Sequence, residues 1–254
     1  MVALFLGAGS LSAQGLLAAA LRIGGLLTAL TALTIGVQTH GWVTGLDAAS
    51  ATWLAAHRSA EFDPAVRLIT DIGSPAIIAA TGLICGPLLA WRARSVIPGV
   101  VVIGTVAGAV LVETALKAVV VQPTTPNSLI FEPHAGAHSF PSGHVTGTAA
   151  LLGIIAVCVG IGRSLTRRGF LGGLVVAAVL AVAGTRMYIG AHWLTDVIAG
   201  AVLAALFVSV GAAVITAFRA RSGKDVPRGR SGSATNADVA FPQRQQVSRR
   251  GISS

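Results

Sequence analysis

Six apolar stretches, each about as long as a bilayer core is thick, constrain this chain more than any other feature. They fall at about residues 23–43, 75–91, 96–121, 145–161, 170–185 and 194–218. About 20 apolar residues in helical form cross the hydrocarbon core, and within it the backbone must satisfy its own hydrogen bonds, which favours helices. Charged residues make up 11% of the chain, against about 25% in soluble domains, too few to cover a globular surface in water. The 31 glycines suit close helix packing in lipid. The expected fold is all-α, a polytopic six-helix transmembrane bundle over residues 23–218. A leader at 1–22 precedes it and a basic tail at 219–254 follows. The first 14 residues carry no basic n-region, so they are not read as a cleaved signal peptide.

The formal charge of +9 raises the question of nucleic acid, and its distribution answers it. Eight of the 18 Lys and Arg lie in the tail, which is rich in Pro, Gly, Ser and Gln and has no apolar periodicity. It reads as a disordered segment that anchors topology, with contact to anionic lipid second. Fourteen of the 18 fall on one side of the six spans, together with both termini; Arg58, Arg67, Lys117 and Arg186 fall on the other. The excess of Lys and Arg marks the cytoplasmic side. The chain is therefore expected in the plasma (inner) membrane with cytoplasmic termini. The segments after the first, third and fifth spans then face outward. Cys85 and Cys158 sit inside apolar runs and read as small buried hydrophobes.

The chemistry-bearing residues collect on that outward side. Arg186 stands six residues before His192, and Asp196 follows four residues later. On a helix an i,i+4 pair shares one face, so Asp196 can hold the His192 imidazole in one tautomer beside a guanidinium. Phe140-Pro141-Ser142-Gly143-His144-Val145 reads as a loop-to-helix junction. Ser142 suits the N-cap, Gly143 lets backbone approach a ligand, and a helix N-terminus binds phosphate. Lys117 ends the third apolar stretch, one turn after Glu113. Each piece also has a plain structural reading: a capped helix, an interfacial His, a self-neutralising Glu113–Lys117 pair. His134 and His138, with His144 and Glu132, raise a metal alternative. Their Gly- and Pro-rich loop gives no dependable ligand geometry, so neither a metal nor a cofactor is expected, and the loop is read as a gate or headgroup contact. Trp193 suits an interfacial anchor. Arg58, Glu61, Asp63 and Arg67 read as a solvated face.

In this order and on one membrane face, the pieces resemble the type 2 phosphatidic acid phosphatase family, which is related to the vanadium-dependent haloperoxidases. Its pattern is Lys, six residues, Arg-Pro; then Pro-Ser-Gly-His; then Ser-Arg, five residues, His, three residues, Asp. The second piece is complete as Pro141-Ser142-Gly143-His144, and the third reads Thr185-Arg186, five residues, His192, three residues, Asp196. The first departs: six residues after Lys117 stand Thr124 and Thr125, so a Thr hydroxyl replaces a bidentate guanidinium. The resemblance covers roughly residues 47–218.

The resemblance implies a membrane enzyme that hydrolyses a phosphomonoester or diphosphate of a lipid. Phosphatidic acid, phosphatidylglycerol phosphate and polyprenyl diphosphate are the candidates. It implies that Lys117, Arg186, Ser142, Gly143 and, in the Arg position, Thr124 contact phosphate. His192, oriented by Asp196, would form a phosphohistidine, and His144 would protonate the leaving group and then activate water. Phosphoryl transfer needs charge neutralisation, in-line positioning and an acid, and these residues supply all three without a metal. Two other classes stay open. One is a phospholipid-binding carrier with weak or no catalysis, which the missing Arg favours and the two retained histidines oppose. The other is a solute transporter, which would show polar breaks near the bilayer midplane, whereas these polar groups cluster at one end.

Overall fold

Eight α-helices and no strand occur among the described residues of the computed structural model, which are 13–121 and 139–221. They are α1 (Ala13–Gln38), α2 (Val43–Ala56), α3 (Asp63–Ile72), α4 (Pro75–Ala93), α5 (Ile97–Val119), α6 (Gly143–Gly160), α7 (Leu165–Tyr188) and α8 (Leu194–Arg221). All but α2 and α3 are long and apolar enough to cross a membrane, and the chain is an integral membrane protein. Five spans fall where the sequence puts them. The first runs Gln14–Gln38 and so starts nine residues before the expected position. Residues 14–22, expected in the leader, are rich in Ala and Leu, the strongest helix formers. Arg22 then lies within the helix, its Nε donating to Ala18 O at 3.1 Å. The rest of the leader, at 1–12, and the tail beyond residue 221 lie outside the described residues.

The helix α6 forms the centre, packed against α4, α5, α7 and α8. Of its apolar stretch 67% is buried, against 11% in α1, which lies on the flank of the bundle, mainly against α8. Leu16, Leu17, Leu21 and Leu27 of α1 are exposed, which costs little where hydrocarbon is the solvent. Hydrocarbon also gives helices no hydrophobic drive to associate, so close approach must come from small residues. Gly211 does this for α8: a Cβ there would lie 2.6 Å from Thr105 Oγ1 of α5 and 2.8 Å from Ile154 Cδ1 of α6. The core between them is Val102, Val106, Leu151, Ile154, Val179 and Val208.

Successive spans alternate in direction. The C-terminal ends of α5 and α7 therefore meet the N-terminal ends of α6 and α8 at one end of the bundle. The two short helices cover that same end, α2 against α7 and α8, and α3 against α7.

Candidate active site at one end of the bundle

The spacing between Arg186 and His192 has a local cause. α7 closes with Gly190 in the left-handed region at φ 74°, a conformation open to glycine without strain. Gly190 N–H donates to Met187 O at 3.0 Å and Ala191 N–H to Arg186 O at 3.1 Å. This pair of bonds is a Schellman motif. It reverses the chain directly after Arg186 and delivers His192 just before α8. His192 therefore lies outside the helix, not on the helical face expected from its i,i+4 spacing. Asp196 still reaches it, because Asp196 sits in the first turn and folds back. Its Oδ2 accepts from Trp193 N–H at 3.0 Å and lies 3.2 Å from His192 Nδ1. The carboxylate thus closes half of a capping box and fixes the imidazole with Nε2 outward. The His192 side chain is 8% exposed. Burial pushes its pKa below the ordinary histidine value; Asp196 opposes the shift, and Arg186 and Lys117 add to it.

The N-terminus of α6 meets this turn directly. Ser142 N–H donates to Asp196 O at 3.0 Å. Gly200 makes the approach fit: a Cβ there would stand 2.8 Å from Ser142 O and 2.9 Å from Thr146 Oγ1. Ser142 holds the N-cap position, but its hydroxyl caps nothing. The hydroxyl is buried with no hydrogen-bond partner among the described residues. The first-turn N–H groups after it have no intrahelical acceptor. His144 follows, within electrostatic reach of Arg186, His192 and Lys117.

Lys117 arrives from the last turn of α5 already ion-paired with Glu113. A Cβ on Gly143 would lie 2.9 Å from Glu113 Oε1 and 3.5 Å from Lys117 Nζ, so this glycine keeps the pair against the start of α6. Two cations, Lys117 and Arg186, therefore stand with two carboxylates, Glu113 and Asp196. Fixed charge alone does not make the site strongly positive. Directed donors, the serine hydroxyl and the helix N–H groups, must supply much of any anion affinity. Thr185 points its hydroxyl at Val182 O at 2.8 Å within α7 and contributes no donor. Thr124, His134 and His138 lie outside the described residues. Among the described residues no three His, Cys, Asp or Glu side chains converge on a metal position.

Asp47 is the residue that the sequence reading misses. It is buried in α2 and clamps the start of α8, its Oδ1 accepting from Thr195 N–H at 2.8 Å and its Oδ2 from Thr195 Oγ1 at 2.7 Å. Burial raises the Asp47 pKa, the two bonds from Thr195 pull it back, and Asp196 raises it further. One signal was present: Asp47 is the lone charged residue of α2. The expectation of a solvated face after α2 also needs correction. Arg58 is half-buried and donates from Nε to Tyr188 O at 2.7 Å. The Tyr188 hydroxyl accepts from Ser59 N–H at 2.9 Å and lies 3.2 Å from Asp63 Oδ1. These contacts dock the α2–α3 turn on the end of α7, two residues from Arg186. Glu61 and Arg67 remain exposed.

Residues 98–220, which hold all of the assembled side chains except Asp47, match the PAP2 superfamily. That match spans just under half of the chain. No curated protein sequence matches it. The fold is similar to that of a transmembrane PAP2-type phosphatidylglycerolphosphate phosphatase from Bacillus subtilis, with a TM-score of 0.67, 18% identity and cover of 82% of this chain and 99% of that one. It is also similar to Aquifex aeolicus LpxE, with a TM-score of 0.52, 19% identity and cover of 65% and 94%. The all-α six-span architecture is thus that of transmembrane PAP2 proteins.

Proposed function

We propose that this protein is a PAP2-type membrane lipid phosphatase acting on a terminal phosphate or diphosphate. The hydrogen bond from Ser142 N–H to Asp196 O carries the reading, because it ties the anion-receptive end of α6 to the turn that holds His192. A phosphoryl group seated on Ser142 Oγ and the Gly143 N–H would lie between the two imidazoles, with Lys117 and Arg186 on its oxygens. Thr124 would donate one neutral hydrogen bond there. His192 Nε2 attacks phosphorus in line and forms a phosphohistidine, while His144 gives a proton to the leaving oxygen. His144 then takes a proton from water, which attacks the phosphohistidine and releases phosphate. Asp196 holds His192 in the reactive tautomer throughout. Orienting carboxylate, nucleophile and acid follow the general logic of covalent catalysis, and the donors act as preorganised electrostatic stabilisers.

The site at a bundle end suits a lipid whose tail stays in the bilayer, such as phosphatidic acid, phosphatidylglycerol phosphate or a polyprenyl diphosphate. The charge pattern supports cytoplasmic termini and an outward site in the plasma membrane. The test is phosphate release from these three lipids by the purified full chain in chelator, with and without vanadate. Metal-independent release that vanadate inhibits is expected. The Lys117–Glu113 pair favours one other reading, a lipid-binding protein without turnover. Tight binding of a lipid phosphate with no release from any of the three would establish that reading instead.

A further inference from the structure

The short helices α2 and α3 leave large apolar side chains uncovered, and helical spacing sorts their residues onto separate faces. Trp42 just before α2, and Leu46 and Trp53 within it, stand four and seven residues apart and share one stripe. All are exposed. Val43 and Asp47, one position further on, are buried against the bundle. Thr44 and Thr52 take the remaining face and are exposed. In α3, Leu68 and Ile72 share an exposed apolar face, Arg67 and Asp71 share an exposed polar one, and Thr70 is buried.

Contacts with the spans fix the level of these helices. The Trp42 indole lies along the last turn of α1, where a Cβ on Gly36 would stand 3.5 Å from its Nε1. Just past α3, a Cβ on Gly73 would stand 3.0 Å from both methyl carbons of Val182 in α7. Val182 falls inside the apolar stretch 170–185 and about 9 Å before the end of α7. Gly73 and Ser74 alone separate α3 from the span α4. Ile35 in the last turn of α1 and Ile77 in the first turn of α4 are exposed as well, so lipid-facing surface runs up to both junctions.

We propose that α2 and α3 lie in the boundary between headgroups and acyl chains of the leaflet at the active-site end. Trp42, Leu46, Trp53, Leu68 and Ile72 then meet lipid, and the threonine and charged faces meet water. A helix with an apolar face beside a polar one lies in the plane of that boundary. Tryptophan favours the same level, because its ring is apolar and its N–H is polar. The Trp53 ring stacks on His57 with centroids 4.2 Å apart, so an apolar and a polar ring close α2 together. α2 carries no basic residue, and the polar face of α3 carries one Arg and one Asp. The contact is therefore apolar and does not select anionic lipid. It also reaches the candidate site, because Asp47 on the inward face of α2 clamps Thr195 at the start of α8.

The test places the full chain, with Cys85→Ala and Cys158→Ala, in phosphatidylcholine vesicles and spin-labels one added cysteine at a time. Labels at Leu46→Cys and Leu68→Cys should be more accessible to oxygen, which concentrates in lipid, than to a water-soluble nickel chelate. Their depth should be about 5–10 Å. Labels at Thr52→Cys and Asp71→Cys should show the reverse order. Phosphatidylglycerol added to the vesicles should shift none of them, and a deeper Leu46 or Leu68 label on its addition would contradict the apolar contact. Leu46 and Leu68 labels that favour the nickel chelate would overturn the proposal in favour of a water-facing surface. Exclusion of both reagents would overturn it in favour of protein cover, by residues 122–138 or a second copy of the chain. If the labelled chains lose their fold, Trp91→Phe/Trp193→Phe leaves both short helices intact, with Trp42 and Trp53 as the emitters. Lipid brominated near the headgroup should quench that emission more than lipid brominated near the chain end. Equal or weaker quenching near the headgroup, or none from either lipid, refutes the placement.

Discussion

Two helix N-termini meet at the candidate active site, and they are finished in opposite ways. At α8 two carboxylates satisfy the free N–H groups, Asp47 taking Thr195 and Asp196 taking Trp193. At α6 the N-cap serine leaves its hydroxyl buried and unpartnered among the described residues. Both ends carry the same positive dipole and the same orphan donors. One is filled with negative charge and holds a histidine still, and the other is the end that we propose receives the anion. The contrast teaches that a helix N-terminus is not by itself a phosphate site. What decides is which end's N–H groups the protein's own carboxylates accept from: Glu113 also stands at the start of α6, but it is paired with Lys117.

The largest test of this contrast removes the group that α8 holds. His192→Ala should cut phosphate release by about 10⁴-fold or more, since a nucleophile has no substitute, while far-UV circular dichroism and melting stay near wild type. Turnover within tenfold of wild type would break the assignment. Next comes the receptive end. Ser142→Ala removes one preorganised donor and should lower kcat about 10²- to 10³-fold. It should leave stability unchanged, because that hydroxyl makes no hydrogen bond to any described residue. A variant that loses stability and keeps its kcat would mean that the serine is a cap after all.

The sequence made these two ends visible unequally. His144, His192, Asp196, Ser142 and Arg186 were legible because each belongs to a short fixed spacing on one side of the membrane. The six spans were legible because lipid tolerates few charges, so each apolar run stands out. The start of α1 was not, since an Ala- and Leu-rich leader and an Ala- and Leu-rich first turn look alike. The clamp from Asp47 was hidden for another reason. It bonds a residue 148 positions away, and no local periodicity records which helix a lone aspartate will cap. The geometry of His192 was half legible: the pairing with Asp196 was right, but the Gly190 turn placed it before the helix.

The clamp sets the third expected effect. Asp47→Ala strands a buried N–H and a buried hydroxyl, at a cost of about 1–3 kcal/mol in stability. It should also lower kcat more than it raises KM, because it frees the start of α8 and leaves the α6 receptor intact. Melting in a phosphatidylcholine bilayer together with steady-state kinetics reads both.

The smallest effect concerns pH. In the proposed mechanism neutral His192 is the nucleophile, and burial holds its pKa below the ordinary value of about 6.5. The acid limb of kcat/KM should therefore fall below pH 6.5. Asp196 opposes that depression, so Asp196→Asn should move the limb lower still while also reducing the plateau. In stability the sign is the same: below about pH 6.5 the unfolded chain takes up the proton first, so the fold weakens as pH drops. A limb that moves upward in Asp196→Asn would contradict the pairing.

The most direct measurement is the covalent intermediate itself. Wild-type protein is mixed with a lipid substrate labelled on its terminal phosphate, quenched in base within the first turnover and digested. The account predicts an acid-labile, base-stable phosphoryl group on the peptide 187–219, whose one histidine is His192. Label on any other residue, or release of phosphate with no label at wild-type rate in His192→Ala, would contradict it.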